Sequence, residues 1–468
     1  MNRLVKVGEI KPRSSHEIKG SRLGLGMEKL DRDAFDPRMV YDKVAALGVK
    51  WIRLQSGWQK TERVEGVYDF AWLDEQVDEL ISRGLKPWLC LCYGNSIYDD
   101  LAKKYYGAVG CPPIRSERTY SAWLHYVEAT VKHFAGRIEY YEIWNEPEGN
   151  WTWRTRPDPV EYTEFCLRTG RVIKECDPCA KVIVGSHYQD SIEFFNEEFA
   201  NGILDIADAV SFHSYHYDER NSIRRIRAIK ALLRSYGSNI EIIQGETGSQ
   251  SENGGGGAFS HVRTCPMMQT KYILRHMIAE ILAGVKFTSV FSAVDMAENL
   301  DAEAGKPITV CGYFGLLGAE FDPNTGSLVG DYTEKPSYYA FRNLCSVLDE
   351  NVNPADAPVI FKVQRSQLIE GFDTSPDDLI YGSLHKANGS WAFVYWKSTE
   401  LTSVQGYEGT VSFELGAITG KARLIDPMDG SVYQIGDDIM RDMGNGLYYF
   451  EHLPLRDYPL IIAIGDFL

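Results

Sequence analysis

Eight short β-rich runs separated by helix-like segments limit the fold more than any other feature of the chain. They fall at residues 23–27, 50–55, 87–93, 140–145, 181–186, 209–214, 241–245 and 287–292. Strands that alternate with helices pair in parallel, because each helix returns the chain to the starting end of the sheet. A count of eight favours a closed (β/α)8 TIM barrel, an α/β fold, over an open sheet, since closure leaves no parallel edge unpaired. The helices are legible too. Asp36 and Pro37 supply a cap and a first helical position, and Met39, Val40, Val44 and Leu47 follow at near-helical spacing up to Gly48. Trp72, Leu73, Val77, Leu80 and Ile81 repeat the pattern, as do residues 120–134 and 268–282.

This alternation gathers the C-terminal ends of all eight strands on one face, where a barrel keeps its chemistry. Two of those ends carry carboxylates. The run from Glu139 to Pro147 is aromatic and β-branched, and its proline cannot join a ladder, so Asn145 and Glu146 fall at the rim of the fourth strand. The run from Glu241 to Gly248 puts Glu246 at the rim of the seventh. An isolated Glu is usually a solvated surface group. A pair at one rim suits cleavage of a glycosidic bond: one carboxyl, kept protonated, donates to the leaving oxygen while the other, ionised, attacks or shields the oxocarbenium-like carbon. Neighbouring strand ends are also polar, with Arg53, Gln55 and Trp58 after the second, Tyr93 and Asn95 after the third, His187 at the fifth, and His213 and Tyr215 at the sixth.

In these contexts Trp144-Asn145-Glu146-Pro147 and Gly245-Glu246-Thr247-Gly248 resemble the retaining (β/α)8-barrel glycoside hydrolases of clan A, nearest to the β-xylosidase and α-iduronidase group. The resemblance implies that Glu146 is the general acid/base and Glu246 the nucleophile. It also implies that Asn145 holds the sugar's 2-hydroxyl and that Arg53, His213 and Tyr215 orient the nucleophile. An arginine and a phenol suit that place, because both donate hydrogen bonds to a carboxylate. Trp151 and Trp153, in the loop after the fourth strand, are candidates for stacking on a sugar face, although a loop folded onto its own aromatics reads the same way. The clan commonly ends its eighth strand with a Trp, whereas this chain offers Phe291 as the nearest aromatic.

The formal charge of −16 repels phosphate backbones and anionic membranes, and no basic run offsets it. The expected partner is therefore a small oligosaccharide or glycoside, with neither nucleic acid nor a membrane. Nine cysteines are an odd number, several of them in apolar segments, and most are expected to be reduced. Cys176-Asp177-Pro178-Cys179 has no second pair to complete a zinc site and reads as structural. His187, His213 and His216 do not make a metal site either, since residues three apart on a strand face opposite sides. No cofactor is expected. Residues 1–20 lack the apolar core of a secretory signal, which points to the cytoplasm.

Residues 335–344 read as the last barrel helix, residues 351–358 as a proline-bearing connector, and from Val359 onward short β-rich runs alternate with turns such as Asn388-Gly389 and Asp429-Gly430. The expected division is a catalytic barrel over residues 1–348 and an antiparallel β-sandwich over residues 349–468, with residues 1–18 adding to the sandwich. The leading functional reading is a retaining, β-xylosidase-like glycosidase with exo action on short glycosides, its pocket walled by the loop bearing Trp151 and Trp153 and by the glycine run at 254–257. The rival is a carbohydrate-binding or scaffolding barrel without turnover, because a fold does not by itself confer activity. Retention predicts about 5 to 5.5 Å between the two carboxyl groups.

Overall fold

The computed structural model describes residues 4–189, 191–298, 310–349, 352–362, 378–401, 409–416 and 420–468. At its centre is a closed parallel barrel of Leu23–Gly26, Trp51–Gln55, Lys86–Leu91, Tyr140–Ile143, Lys181–His187, Ala209–His213, Glu241–Thr247 and Thr288–Val290, neighbours in that order, with the last strand paired to the first. All eight runs read from the sequence are strands of this barrel. Trp51, Trp88, Tyr140, Ile183, Ile243 and Phe287 form one buried cluster, in which the Trp51 and Phe287 rings stack at 4.6 Å. The period of two along a strand then sets Arg53 one layer above Trp51 and Glu142 one layer above Tyr140 on the same face. A hydrophobic layer thus supports a charged one nearer the rim.

Three of the outer helices start where side chains satisfy their free N–H groups. Ser116 accepts from Thr119 N ahead of Glu117–Phe134, Asp158 from Val160 N and Glu161 N ahead of Pro159–Cys176, and Asp218 from Arg220 N ahead of Glu219–Ser235. The helix Pro266–Leu282 differs: it is buried from Met268 to Ile281 without a break, which a helix covered on every side requires. No helix among the described residues is long and apolar enough to cross a membrane.

Beyond the barrel, a seven-stranded antiparallel sheet faces a four-stranded one formed by Val359–Lys362, Gly409–Leu415, Tyr448–Leu455 and Met440–Asp442. Alternation along Trp391–Lys397 shows how the larger sheet is used. Phe393 and Tyr395 join Phe413 and Phe450 in the core between the sheets, while Ala392, Val394 and Trp396 belong to the cluster that is continuous with the barrel. Both faces are therefore covered. The N-terminal strand Leu4–Glu9 pairs antiparallel with Ser431–Ile435 at one edge of the larger sheet. Within the stretch read as a connector, Asn353–Ala355 forms the other edge, paired with residues 383–385; Asn351 lies outside the described residues. Pro354 is tolerated because an edge strand leaves one side of its backbone unpaired.

Candidate active site

The fourth barrel strand ends at Ile143, two residues before its sequence pattern does, because Trp144 and Glu146 take left-handed backbone conformations with φ of 70° and 50°. Residues with a Cβ seldom adopt that region unless their surroundings impose it. Here Trp144 Nε1 donates to the Thr152 carbonyl at 2.7 Å, and Thr152 Oγ1 donates to the Glu146 carbonyl. The turn delivers Glu146 to a cavity of about 510 Å³ whose lining includes Glu28, Asn145, Trp151, Tyr215, Glu246 and Phe291. Glu246 enters from the seventh strand. One oxygen of each of Glu146 and Glu246 and one ring nitrogen of His213 all lie within 4.8 Å of one another.

Arg53 organises the floor. It is fully buried, with Nε donating to Glu142 Oε2 at 2.7 Å, Nη1 to Glu246 Oε2 at 2.9 Å and Nη2 to Asn145 Oδ1 at 2.9 Å. Burial pushes the Glu142 carboxyl up, but the Arg53 charge and hydrogen bond outweigh it and leave Glu142 below the usual carboxylate range. Tyr215 Oη donates to Glu246 Oε1, and burial together with that carboxylate holds the phenol well above its ordinary value, so it remains a donor. The two Glu residues thus have unlike surroundings. Glu246 receives a guanidinium and a phenol, whereas burial lifts Glu146 to about 7, opposed by the hydrogen bond from Trp151 Nε1 at 3.2 Å.

Three side chains stand elsewhere than the sequence led one to expect. His213, expected to orient Glu246, places Nδ1 2.8 Å from Glu146 Oε1 and 3.9 Å from Glu246 Oε2, so its closer carboxyl is Glu146. Trp153 is fully buried, its Nε1 donating to Glu161 Oε1 at 2.9 Å and its ring packed on Trp144, Tyr162 and Phe165, and it does not line the cavity. His187 is likewise turned away, to Glu198 Oε1 at 2.9 Å. Trp151 is 43% exposed and does line the cavity, facing Tyr188 across its edge. Tyr215 lies two residues past its strand rather than on it.

Among the described residues, Glu146, His213 and Glu246 are the cluster with metal-ligand spacing. Arg53 already places a positive charge 2.9 Å from Glu246 Oε2, which opposes a second cation there. The cysteines of the Cys-x-x-Cys are both free.

With that geometry in view, the comparisons with known proteins are specific. Residues 43–241 match Glycosyl hydrolases family 39. No curated protein matches the sequence. Among solved structures, the chain is similar to a family 39 glycoside hydrolase from the gut symbiont Bacteroides cellulosilyticus, at 17% identity and a TM-score of 0.65, covering 95% of this chain and 81% of that one. It is also similar to a family 39 β-xylosidase from Caulobacter crescentus, at 16% identity, a TM-score of 0.57 and 99% coverage of both chains. A family 30 endoxylanase from Clostridium papyrosolvens gives 13% identity, a TM-score of 0.57 and 98% coverage of both. These structures share the barrel-and-sandwich fold, and the family 39 match supports a glycoside hydrolase.

Set beside the family 39 match, the site contains residues that strand-end motifs did not reveal. Glu142 was visible only as part of a β-rich run, and a Glu facing into a barrel needs a buried cation, which Arg53 provides. Glu28 lies just past the first strand, whose end carries no motif. Phe291, the aromatic nearest the end of the eighth strand, lines the cavity, with Lys29 Nζ 4.9 Å from its ring centre.

Proposed function

We propose that the chain is a retaining β-glycosidase, β-xylosidase-like in specificity, with Glu146 as general acid/base and Glu246 as nucleophile. The observation that carries this reading is the pair itself: carboxyl oxygens of Glu146 and Glu246 within 4.8 Å across one cavity. A direct displacement needs a gap of about 5 to 5.5 Å between the groups, whereas inversion needs about 6.5 to 9.5 Å to admit a water. In the first step the Glu146 proton passes to the glycosidic oxygen as Glu246 attacks the anomeric carbon, and the bond to the leaving group breaks. In the second, Glu146 takes a proton from water, which attacks the same carbon and frees Glu246. A carboxyl lifted to about 7 can give its proton in the first step and, as the carboxylate so formed, take one back in the second.

The surrounding residues support the assignment. Arg53 and Tyr215 hold the two oxygens of Glu246, fixing its direction of attack. Arg53 also occupies Asn145 Oδ1, which leaves the Asn145 amide nitrogen as the donor for a sugar hydroxyl. Trp151, Gly256, Gly257 and Phe314 wall the cavity, in keeping with exo action on a short glycoside. The xyloside preference rests on the motifs and the family 39 match alone.

The test is a panel of aryl xylosides, glucosides, galactosides, mannosides, arabinosides and glucuronides, with the anomer of the first product followed by NMR. Hydrolysis with retention is expected, along with azide rescue of Glu246→Ala as a glycosyl azide of opposite configuration. An inverted first product would overturn the nucleophile assignment. Silence across the panel would favour the binding barrel without turnover.

A further inference from the structure

Glu28 is 2% exposed and lines the catalytic cavity, yet neither of its carboxylate oxygens has a hydrogen-bond partner among the described residues. A cation is near. Arg53 Nη1 stands 3.5 Å from Glu28 Oε1, but the same nitrogen is 2.9 Å from Glu246 Oε2, and Nε and Nη2 are engaged by Glu142 and Asn145. A buried carboxyl with both oxygens unmet is costly, and native structures seldom keep one without a use. The chemistry described above does not use it.

Its position says what it faces. Glu28 and Glu246 share one guanidinium nitrogen, which sets Glu28 beside the sugar whose anomeric carbon Glu246 attacks, while Trp151 stands against Glu146. A Cβ on Gly26 would run into both Glu28 oxygens, so the first strand leaves open the space in which this carboxyl sits. We propose that Glu28 is a glycone-binding residue that sets sugar specificity by taking hydroxyls of the reacting sugar onto its two carboxyl oxygens. The inference rests on the glycosidase reading and deepens it. Burial pushes the Glu28 carboxyl up to about 8, so near neutrality one oxygen donates and the other accepts. Two neighbouring hydroxyls satisfy that pattern. A neutral sugar fits better than an amino sugar, whose ammonium group would call for an ionised partner.

Glu28→Leu and Glu28→Gln test the role on the para-nitrophenyl glycoside that the wild type cleaves fastest and on its monodeoxy analogues. Glu28→Leu is expected to lower kcat/KM about 100-fold on the parent glycoside, and less than about 3-fold on the analogue missing the hydroxyl that Glu28 takes. Glu28→Gln, which still donates and accepts, is expected to lose no more than about 10-fold on the parent. A second readout needs no turnover: replacing an unsatisfied buried acid with an apolar side chain is expected to raise the melting temperature. Equal losses on every analogue, or a lowered melting temperature with an unchanged ranking of sugars, would overturn the proposal. Gly26→Ala, which displaces the carboxyl without deleting it, carries the same comparison if Glu28→Leu does not fold. An active wild type whose variants keep its ranking removes the Glu28 role alone, whereas a wild type silent on the whole panel removes the glycosidase reading and this inference with it.

Discussion

Arg53 Nη1 lies 2.9 Å from Glu246 Oε2, one arm of a guanidinium whose Nε and Nη2 are spent on Glu142 and Asn145. Three acceptors at three nitrogens need the planar fork of arginine, which a lysine ammonium cannot reproduce. Arg53→Lys is therefore expected to cut kcat/KM by about 100-fold or more, read by steady-state kinetics on an aryl glycoside. Arg53→Met should also leave the fully buried Glu142 unpaired, at a cost of about 3 to 5 kcal/mol in a denaturant titration. Near-native stability of Arg53→Met would show that Glu142 does not depend on this partner.

The raised pKa of Glu146 fixes the direction of the pH response. Protonation of a substrate's leaving oxygen requires the acid form, so turnover of glycosides with poor leaving groups is expected to fall as pH rises through about 7. Glu146→Gln should abolish that limb, slow poor leaving groups strongly and spare kcat/KM, though not kcat, for a dinitrophenyl glycoside, whose departure needs no acid. An unchanged profile in this variant would assign the acid elsewhere.

Stability carries the same sign. A carboxyl whose folded value is raised stabilises fully below the ordinary carboxyl range and loses that contribution as pH rises through its folded value, here about 7 for Glu146 and about 8 for Glu28. The melting temperature is expected to decline between about pH 5 and pH 8 and to decline less in Glu28→Leu. A flat melting curve across that window would contradict the burial argument for both groups.

The two tryptophans after the fourth strand separate function from packing. Trp151→Ala removes an exposed ring and the hydrogen bond to Glu146 Oε2, so activity should fall with little change in stability. Trp153→Ala opens a hole among Trp144, Tyr162 and Phe165 and is expected to cost about 3 to 5 kcal/mol. Melting and kinetics on both variants check the contrast; a stable, inactive Trp153→Ala would return Trp153 to the site.

That contrast also shows how far the sequence could be read. The eight strands were legible because period and caps are local properties, and the strand-end motifs identified Asn145, Glu146 and Glu246 as rim residues. Which of two nearby tryptophans meets solvent was not, because the left-handed turns at Trp144 and Glu146 decide it and no residue type there announces them. His213 could be placed at the rim, but its choice of Glu146 over Glu246 depends on how the ends of three strands converge, which no local pattern shows. Glu142 depends on Arg53 from a strand it does not pair with, and Glu28 comes near Arg53 through the register of the first two strands, relationships that no local pattern shows.

The sandwich is expected to contribute to the barrel's stability rather than to its chemistry. Every described residue lining the catalytic cavity falls between Glu28 and Phe314, yet Lys271 of the fully covered helix is 2% exposed and pairs with Asp457 at 2.6 Å, while Arg275 reaches the Thr399 carbonyl at 2.8 Å and Glu219 accepts from Trp396 Nε1 at 2.7 Å. Lys271→Met would strand the Asp457 charge, at an expected cost of about 3 to 5 kcal/mol, and adding Asp457→Leu should recover most of it, since an apolar pair replaces a buried ion pair at little cost. KM should stay at its wild-type value in both variants, because neither residue lies at the cavity. Truncation after residue 349 would expose the apolar face of Pro266–Leu282 and should yield aggregated protein, measured by size-exclusion chromatography. A soluble, active truncated barrel, or a KM that moves with Lys271→Met, would show that this interface does something other than support the fold.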